Sequence, residues 1–298
     1  MQDNYSIAIL TPTYNRATLL PRLYESLVNQ TNKNFVWYVV DDGSSDNTKE
    51  VVEGFISEEK IKIKYFYKTN GGKHTALNVG IQQISEDLLI IVDSDDYLTT
   101  DAVQTVINDA FRIKGEQFCG LGYLKQSTNG NVVGKKYTED YVEDTFINQR
   151  YNKKTYGDKC EVFKTAILKQ FPFPEFEGEK FLSEATVWCK MSGPYKMVFI
   201  NKAIYVCEYQ EGGLSDGVRK RLFTNPKGAV KCYNTLCGKG FNLINRAKFV
   251  LLYIVHCLAD NRKYQKIIKD CSSNFLCFIM YPLGYLIYIK RSRCFASR

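Results

Sequence analysis

Neither G-x-G-x-x-G nor G-x-x-x-x-G-K-[ST] occurs in this chain of 298 residues, so the signatures of dinucleotide and P-loop phosphate binding are both missing. Histidine is scarce, with two residues, and no two cysteines form a C-x-x-C pair. That leaves no ligand set for a His/Cys zinc site and no dithiol redox motif. The ten cysteines are scattered, several inside apolar runs such as YVCEY and IVHCLA, and they read as small core residues in a reducing compartment. No apolar segment with a basic start precedes the strand-like SIAIL at 6–10, so no cleaved signal peptide is expected. The stretch FLCFIMYPLGYLIYI at 275–289 carries no charge, but its fifteen residues fall short of the ~20 that a helix needs to cross a bilayer.

What is present points to a folded globular chain of one or two domains: 45% of residues are hydrophobic and 24% charged, outside the disordered range. The net charge of +8 conceals an asymmetry. Residues 215–298 hold 16 Lys/Arg against 3 Asp/Glu, whereas the first 214 hold 24 against 29. A basic tail beside an acidic body calls for an anionic partner. Nucleic acid fits poorly, because no recognised binding module occurs and the aromatics cluster with aliphatics.

SIAILTPTY reads as a strand, followed by a helix with Leu19, Leu20, Leu23 and Leu27 on one face. FVWYVV is a second strand ending in Asp41-Asp42; Ser44, Ser45 or Asp46 then caps a helix carrying Val51, Val52 and Phe55. IKIKYFY gives a third strand, NGGKHTALNVGIQQI a glycine-rich loop entering a helix, and LLIIV a fourth strand that runs into Asp93, Asp95 and Asp96. Strands alternating with helices predict an α/β fold with a mostly parallel sheet flanked by helices. Ligands bind beyond the carboxyl ends of such strands, and four polar clusters sit there: 11–16, 41–42, 70–74 and 93–96. An Asp-x-Asp at a strand end turns two carboxylates to one side. That suits Mn²⁺ or Mg²⁺ with positions left open for phosphate oxygens, or else a solvated turn capping the next helix.

ILTPTYNR, VVDDGSSDNT, NGGKHTALNVGI and IVDSDD, in this order and spacing, resemble the nucleotide-sugar-binding half of the family 2 glycosyltransferases over roughly residues 6–125. The resemblance implies an inverting enzyme of GT-A fold that takes a nucleoside-diphosphate sugar, a UDP-sugar foremost. Thr11, Pro12, Tyr14 and Arg16 would line the nucleotide pocket, with Asn70, Lys73, His74 and Asn78 on the loop and helix opposite. Asp41 or Asp42 would accept a hydrogen bond from the base. Asp93 and Asp95 would form the D-x-D pair, Asp95 nearer the metal and Asp93 nearer the ribose. Relatives often carry Ala-Arg-Asn where this chain has Ala76-Leu77-Asn78, so Lys73 or His74 would supply the missing cation.

An inverting transfer requires a carboxylate that takes the acceptor's proton. Where the family usually reads Glu-Asp with an aromatic four residues later, this chain has Ser183-Glu184 and Trp188, which makes Glu184 the expected base, with Glu179 and Glu177 behind it. Ser215 and Arg219, in a segment similar to one that closes over the diphosphate, would donate to phosphate oxygens.

The expected division is a catalytic domain at 1–215, its donor half at 1–125 and its acceptor half at 126–215, followed by a basic, apolar helical extension at 216–298. Residues 241–259 read as an apolar helix, with His256 part of its packing. Pro282 and Gly284 are expected to interrupt 275–289, which would lie in a membrane interface beside anionic lipid or pack as a core helix. The expectation is a transferase peripheral on the cytoplasmic membrane face, passing sugar to a saccharide or lipid-linked acceptor in polysaccharide or glycolipid synthesis. A catalytically silent nucleotide-sugar- or glycan-binding subunit of the same fold and a nucleotidyltransferase are the alternatives.

Overall fold

The structure, a computed structural model, describes residues 5–208 and 217–296. Strand β1 (Ile7–Thr13) is buried at every position, as a strand with neighbours on both edges and layers on both faces must be. Its neighbours are β2 (Phe35–Asp41) and β4 (Leu88–Ile91), and β3 (Ile63–Tyr67) adds beyond β2; all these pairings are parallel. Helices α1 (Leu20–Val28), α2 (Thr48–Ser57) and α3 (Lys73–Gln83) make the crossovers. Helix α1 buries Leu20, Leu23 and Leu27, the expected stripe, while Leu19 stands at its N-cap. Ahead of α2 it is Asp46 that accepts from the Thr48 backbone N–H and hydroxyl, at 3.1 and 2.6 Å.

The chain continues through β5 (Tyr97–Leu98), α4 (Ala102–Asp109), β6 (Phe118–Ser127), β7 (Tyr141–Asp144), β8 (Lys159–Lys164), α5 (Thr165–Leu168), α6 (Ala185–Met191) and β9 (Lys196–Cys207). The strand order is β3-β2-β1-β4-β8-β6-β9-β5, with β7 also on β9. The sheet is parallel across its first four strands and mixed beyond, because β8 runs antiparallel to both β4 and β6 while β6 and β9 are parallel. The chain turns after β6 at Asn129-Gly130, where Gly130 has φ +78°.

Alternation along the strands divides the core into two layers. Ile7, Ile9, Trp37 and Val39 face one cluster with α1, α2 and α4, whereas Ala8, Leu10, Tyr38 and Val40 face the other with α3 and α6. After α7 (Val218–Thr224), the second cluster continues into the C-terminal helices α8 (Pro226–Leu236), α9 (Leu243–Ala259), α10 (Tyr264–Asp270) and α11 (Asn274–Ala296), through Val230, Leu236, Val250, Tyr253, Ile254, Ile267 and Cys277. The expected boundary at 215/216 falls in 209–216, outside the described residues. The nine described cysteines are free and buried. His256 packs against Tyr233, with ring centroids 5.2 Å apart.

Helix α11 runs unbroken through Pro282, where an interruption was expected. Its inner side, with buried Cys277 and Gly284, lies along α9, and a Cβ at Gly284 would come within 2.7 Å of Ile254. Contacts on either side of Pro282 hold the helix together despite the missing backbone donor. The outer side leaves Phe275, Phe278, Ile279, Leu283 and Leu286 exposed. No described helix is long and apolar enough to cross a membrane.

Candidate active site

The chain leaves β1 for β2 and β3 on one side and returns through α3 to β4 on the other. At this switch point, beyond the strand carboxyl ends, lies a cavity of about 940 Å³. Pro12, Tyr14, Arg16, Asp42, Asn70, Lys73, His74, Asp93, Asp95 and Glu184 all line it. Thr11, Asp41 and Asn78 do not. The Thr11 hydroxyl accepts from the Trp37 indole N–H at 3.0 Å, inside the sheet. Asp41 accepts from the Ser44 N–H at 2.7 Å and the Tyr65 hydroxyl at 2.8 Å. Asn78 is occupied by both backbone groups of Phe173, tying α3 to the chain before the expected base. Ser215 lies outside the described residues; Arg219 sits on α7, but its side chain is likewise outside them.

The loop at 70–72 is held by one carboxylate. Asp42 accepts from the N–H groups of Gly71 and Gly72 at 2.9 and 2.7 Å, from the Asn70 amide at 3.2 Å and from Lys68 Nζ at 2.7 Å. Of the two adjacent aspartates Asp42 is therefore the one at the cavity, and it anchors the loop. Gly72 has φ +95°, and a Cβ there would lie 2.0 Å from the Lys180 carbonyl oxygen, so only glycine lets this loop touch the segment that carries Glu184. On the other side, the Glu179 carboxylate accepts from the Lys227 and Gly228 N–H groups at 2.8 and 2.7 Å. Capping α8 removes Glu179 from the candidates for the base.

Lys73 opens α3 at the centre of the cavity. Its Nζ lies 2.6 Å from Asp93 Oδ1 and 2.9 Å from Glu184 Oε1. Burial alone would lower the lysine's pKa, but the two carboxylates raise it above its ordinary value. Burial likewise pushes Asp93 up, and Lys73 with Lys125 outweighs it, holding Asp93 below the usual carboxylate range. His74 is buried, its Nδ1 has no partner, and burial lowers its pKa. Of the two candidates for the missing cation, Lys73 is the charged one.

The acids of the DSDD turn divide their work. Asp93 and Asp95 line the cavity, with Arg22 Nη2 donating to the Asp95 carbonyl. Asp96 accepts from the Tyr205 hydroxyl at 2.8 Å and the Glu208 N–H at 3.2 Å, with Lys125 Nζ at 3.8 Å. Burial pushes Asp96 up to about 6, and it fastens the turn to β9. Arg22 and Lys125 were not among the expected site residues. For Lys125 a signal existed: it continues the inward period of Leu121 and Tyr123 on β6, where a charge needs a buried partner.

No group of three or more His, Cys, Asp or Glu placed to hold a metal exists among the described residues. Two carboxylates on one strand end still fit a hard divalent cation whose other ligands come from phosphate oxygens and water. The Thr13 hydroxyl, buried at the cavity wall without a partner, fits a ligand that brings its own donors or acceptors.

A family model described as "Glycosyl transferase family 2" matches residues 8–173. The GalNAc(5)-diNAcBac-PP-undecaprenol beta-1,3-glucosyltransferase of Campylobacter jejuni is 28% identical over 222 residues, 73% of this chain and 69% of its own length. Among solved structures, Staphylococcus aureus TarS 1–349 in complex with UDP-GlcNAc aligns with a TM-score of 0.65 at 21% identity, over 89% of this chain and 81% of that one. The mannosyltransferase PcManGT of Pyrobaculum calidifontis, in complex with GDP-Man and Mn²⁺, aligns with a TM-score of 0.58 at 14% identity, over 99% and 84%.

Proposed function

This chain belongs to glycosyl transferase family 2 and has the GT-A fold, and from that premise we propose that it transfers a sugar, with inversion, from a nucleoside-diphosphate sugar to an acceptor hydroxyl. The observation that carries the proposal is Lys73 Nζ paired with both Asp93 and Glu184, a carboxylate of the D-x-D turn and the one at the expected position of the base.

Glu184 takes the proton of the acceptor hydroxyl as that oxygen attacks the anomeric carbon. The bond from the anomeric carbon to the diphosphate breaks, and its electron pair leaves with the diphosphate. Lys73 stands where it can turn toward the developing negative charge. Pro12, Thr13, Tyr14 and Arg16 form the nucleotide wall, and Asp42 keeps the Asn70–Gly72 loop in place. Asp95 and Asp93 would hold Mn²⁺ or Mg²⁺, which supplies charge neutralisation for the diphosphate when bound. The relatives' bound nucleotides support a UDP-sugar donor first and a GDP-sugar second. The undecaprenol-linked acceptor in the Campylobacter relative's name supports a saccharide or lipid-linked acceptor.

The test is a thermal-shift screen of nucleotide sugars with and without Mn²⁺, since a ligand of the native state raises its apparent stability. A Mn²⁺-dependent shift together with release of nucleoside diphosphate is the expected result. Release of pyrophosphate would instead identify nucleotidyl transfer, and binding without turnover would identify a silent subunit.

A further inference from the structure

The second half of the chain also walls the cavity, and this inner end carries a group of side chains that donor binding leaves unused. Glu161 on β8 lines this inner end on the same strand face as Phe163, two residues on. Among the described residues no side chain donates a hydrogen bond to its carboxylate, and burial raises its pKa, with Arg150 and Lys125 as the nearby opposing charges. An ionised carboxylate accepts and cannot donate, so a group aimed into a cavity this way is open to donors from a ligand. The cations beside it are turned elsewhere: Arg150 Nη1 donates to the carbonyls of Thr155 and Gly157 at 2.8 and 2.6 Å, and Lys159 Nζ to those of Val133 and Tyr156 at 3.2 and 3.3 Å. They brace the loop that carries Tyr156.

That bracing has a consequence for Tyr156. Its carbonyl also accepts from the Lys135 N–H at 2.9 Å, and the flanking Gly157 meets Gly134 so closely that a Cβ on either would lie 2.5 Å from the other's Cα. The backbone is clamped, yet the ring is 68% exposed and lines the cavity. An aromatic face held in the open beside a donor-seeking carboxylate suits a ring with apolar C–H faces and hydroxyl edges. A phosphate would be repelled by Glu161 and would find these cations occupied by carbonyls.

We propose that the inner end of the cavity is the acceptor subsite and takes a saccharide ring, with Glu161 accepting from a ring hydroxyl and Tyr156 covering a C–H face. This rests on the transferase reading and deepens it. Lys73 separates Asp93, on the donor side, from Glu184, and a base must face the hydroxyl it deprotonates. Trp188, one turn along α6 from Glu184, lines the cavity and packs on Phe163 with 4.4 Å between ring centroids, so one wall of the cavity joins the base to the strand that carries Glu161.

The test uses the full chain with Mn²⁺ and the nucleotide sugar from the screen above, offering free glucose, galactose, N-acetylglucosamine and N-acetylgalactosamine as acceptor probes. At least one probe is expected to accelerate nucleoside-diphosphate release above hydrolysis. Glu161→Gln should raise the KM for that probe ten-fold or more without moving the donor KM. Tyr156→Ala, which removes an exposed ring, should raise the same KM and keeps the test readable if Glu161→Gln does not fold. Donor hydrolysis that no probe accelerates overturns the saccharide subsite, as does an unchanged acceptor KM in both variants. A rise in donor KM alone shows that this end holds the donor sugar and overturns it too. Failure of the wild type to bind or hydrolyse any nucleotide sugar is a separate result, and it removes the transferase reading together with the subsite built on it.

Discussion

At the scale of single residues, the site is arranged around one cation. Three aspartates at the end of β4 repel one another, and Lys73 meets the first of them at 2.6 Å while holding Glu184 at 2.9 Å. Replacing Glu184 by Gln keeps the shape and a hydrogen-bond acceptor but removes the base, so turnover should fall by about 10²–10⁴-fold with the donor-induced thermal shift retained. Unchanged turnover would reassign the base. Asp95→Ala should abolish the Mn²⁺-dependent part of that shift, and a shift that survives EDTA in the wild type would remove the metal from the mechanism. The Lys73 pairing was not legible in the sequence. Lys73 and Glu184 stand 111 residues apart, and the contact depends on Gly72 lying against Lys180, which leaves no trace in local pattern. The strand-end clusters were legible because each is local: an apolar run stops and carboxylates or hydroxyls follow. Asn78 misled for the same reason, since nothing nearby shows that Phe173 will claim its amide.

At the scale of elements, the parallel half of the sheet could be read from alternating strand and helix patterns, whereas the mixed half could not. The insertion of β8 between β4 and β6 is a long-range pairing, and its sequence differs little from any other apolar strand. Besides the β4–β8 pairing, the two halves have a junction at the contact between the 70–72 loop and the 177–184 segment, and Gly72→Ala tests it. The substitution forces a side chain onto φ +95° and 2.0 Å from a backbone oxygen, so a loss of roughly 1–3 kcal/mol in stability is expected, with a weaker donor-induced shift. Wild-type stability and donor response in that variant would contradict the junction. Helix α9 carries a pH-dependent contribution. Burial, with Arg291 nearby, lowers the pKa of His256 from 6.5 to about 4, so the unfolded chain binds this proton first as pH falls. Its contribution is full above pH 6.5 and is lost down to about pH 4, by about 3 kcal/mol at ~1.4 kcal/mol per unit. Urea unfolding across that window should show the slope, and His256→Phe should flatten that part of it, leaving the contribution of His74, whose pKa is also lowered.

At the scale of the whole molecule, charge and apolar surface gather at one end. Beyond residue 214 the basic residues outnumber the acidic ones 16 to 3, and there α11 presents Phe275, Phe278, Ile279, Leu283 and Leu286 outward, at the spacing of one helical stripe. Its opposite side is already committed to α9, so the stripe is not a core surface awaiting its own chain. Helix α10, whose Tyr264 ring meets Tyr281 of α11 at 4.7 Å, adds exposed Lys266 and Lys269, and Lys290 and Arg293 follow the stripe. We propose that this surface rests on an anionic bilayer, apolar side chains entering the interface and cations meeting headgroups, each worth about 1 kcal/mol at low salt. Because α8 and α9 wall the cavity through Tyr233, Leu236, Phe249 and Leu252, the same helices would bring a membrane-borne acceptor close to Glu184. Vesicles of phosphatidylglycerol and phosphatidylcholine should sediment the protein at low salt and release it as salt rises past the range where surface charges are screened; pure phosphatidylcholine should bind at least ten-fold less. Phe278→Glu combined with Leu286→Glu alters only exposed positions, so it should abolish sedimentation while leaving Tm and turnover of a soluble acceptor in place. Equal binding to neutral and anionic vesicles, or wild-type sedimentation by the double variant, would show that this face serves some other contact.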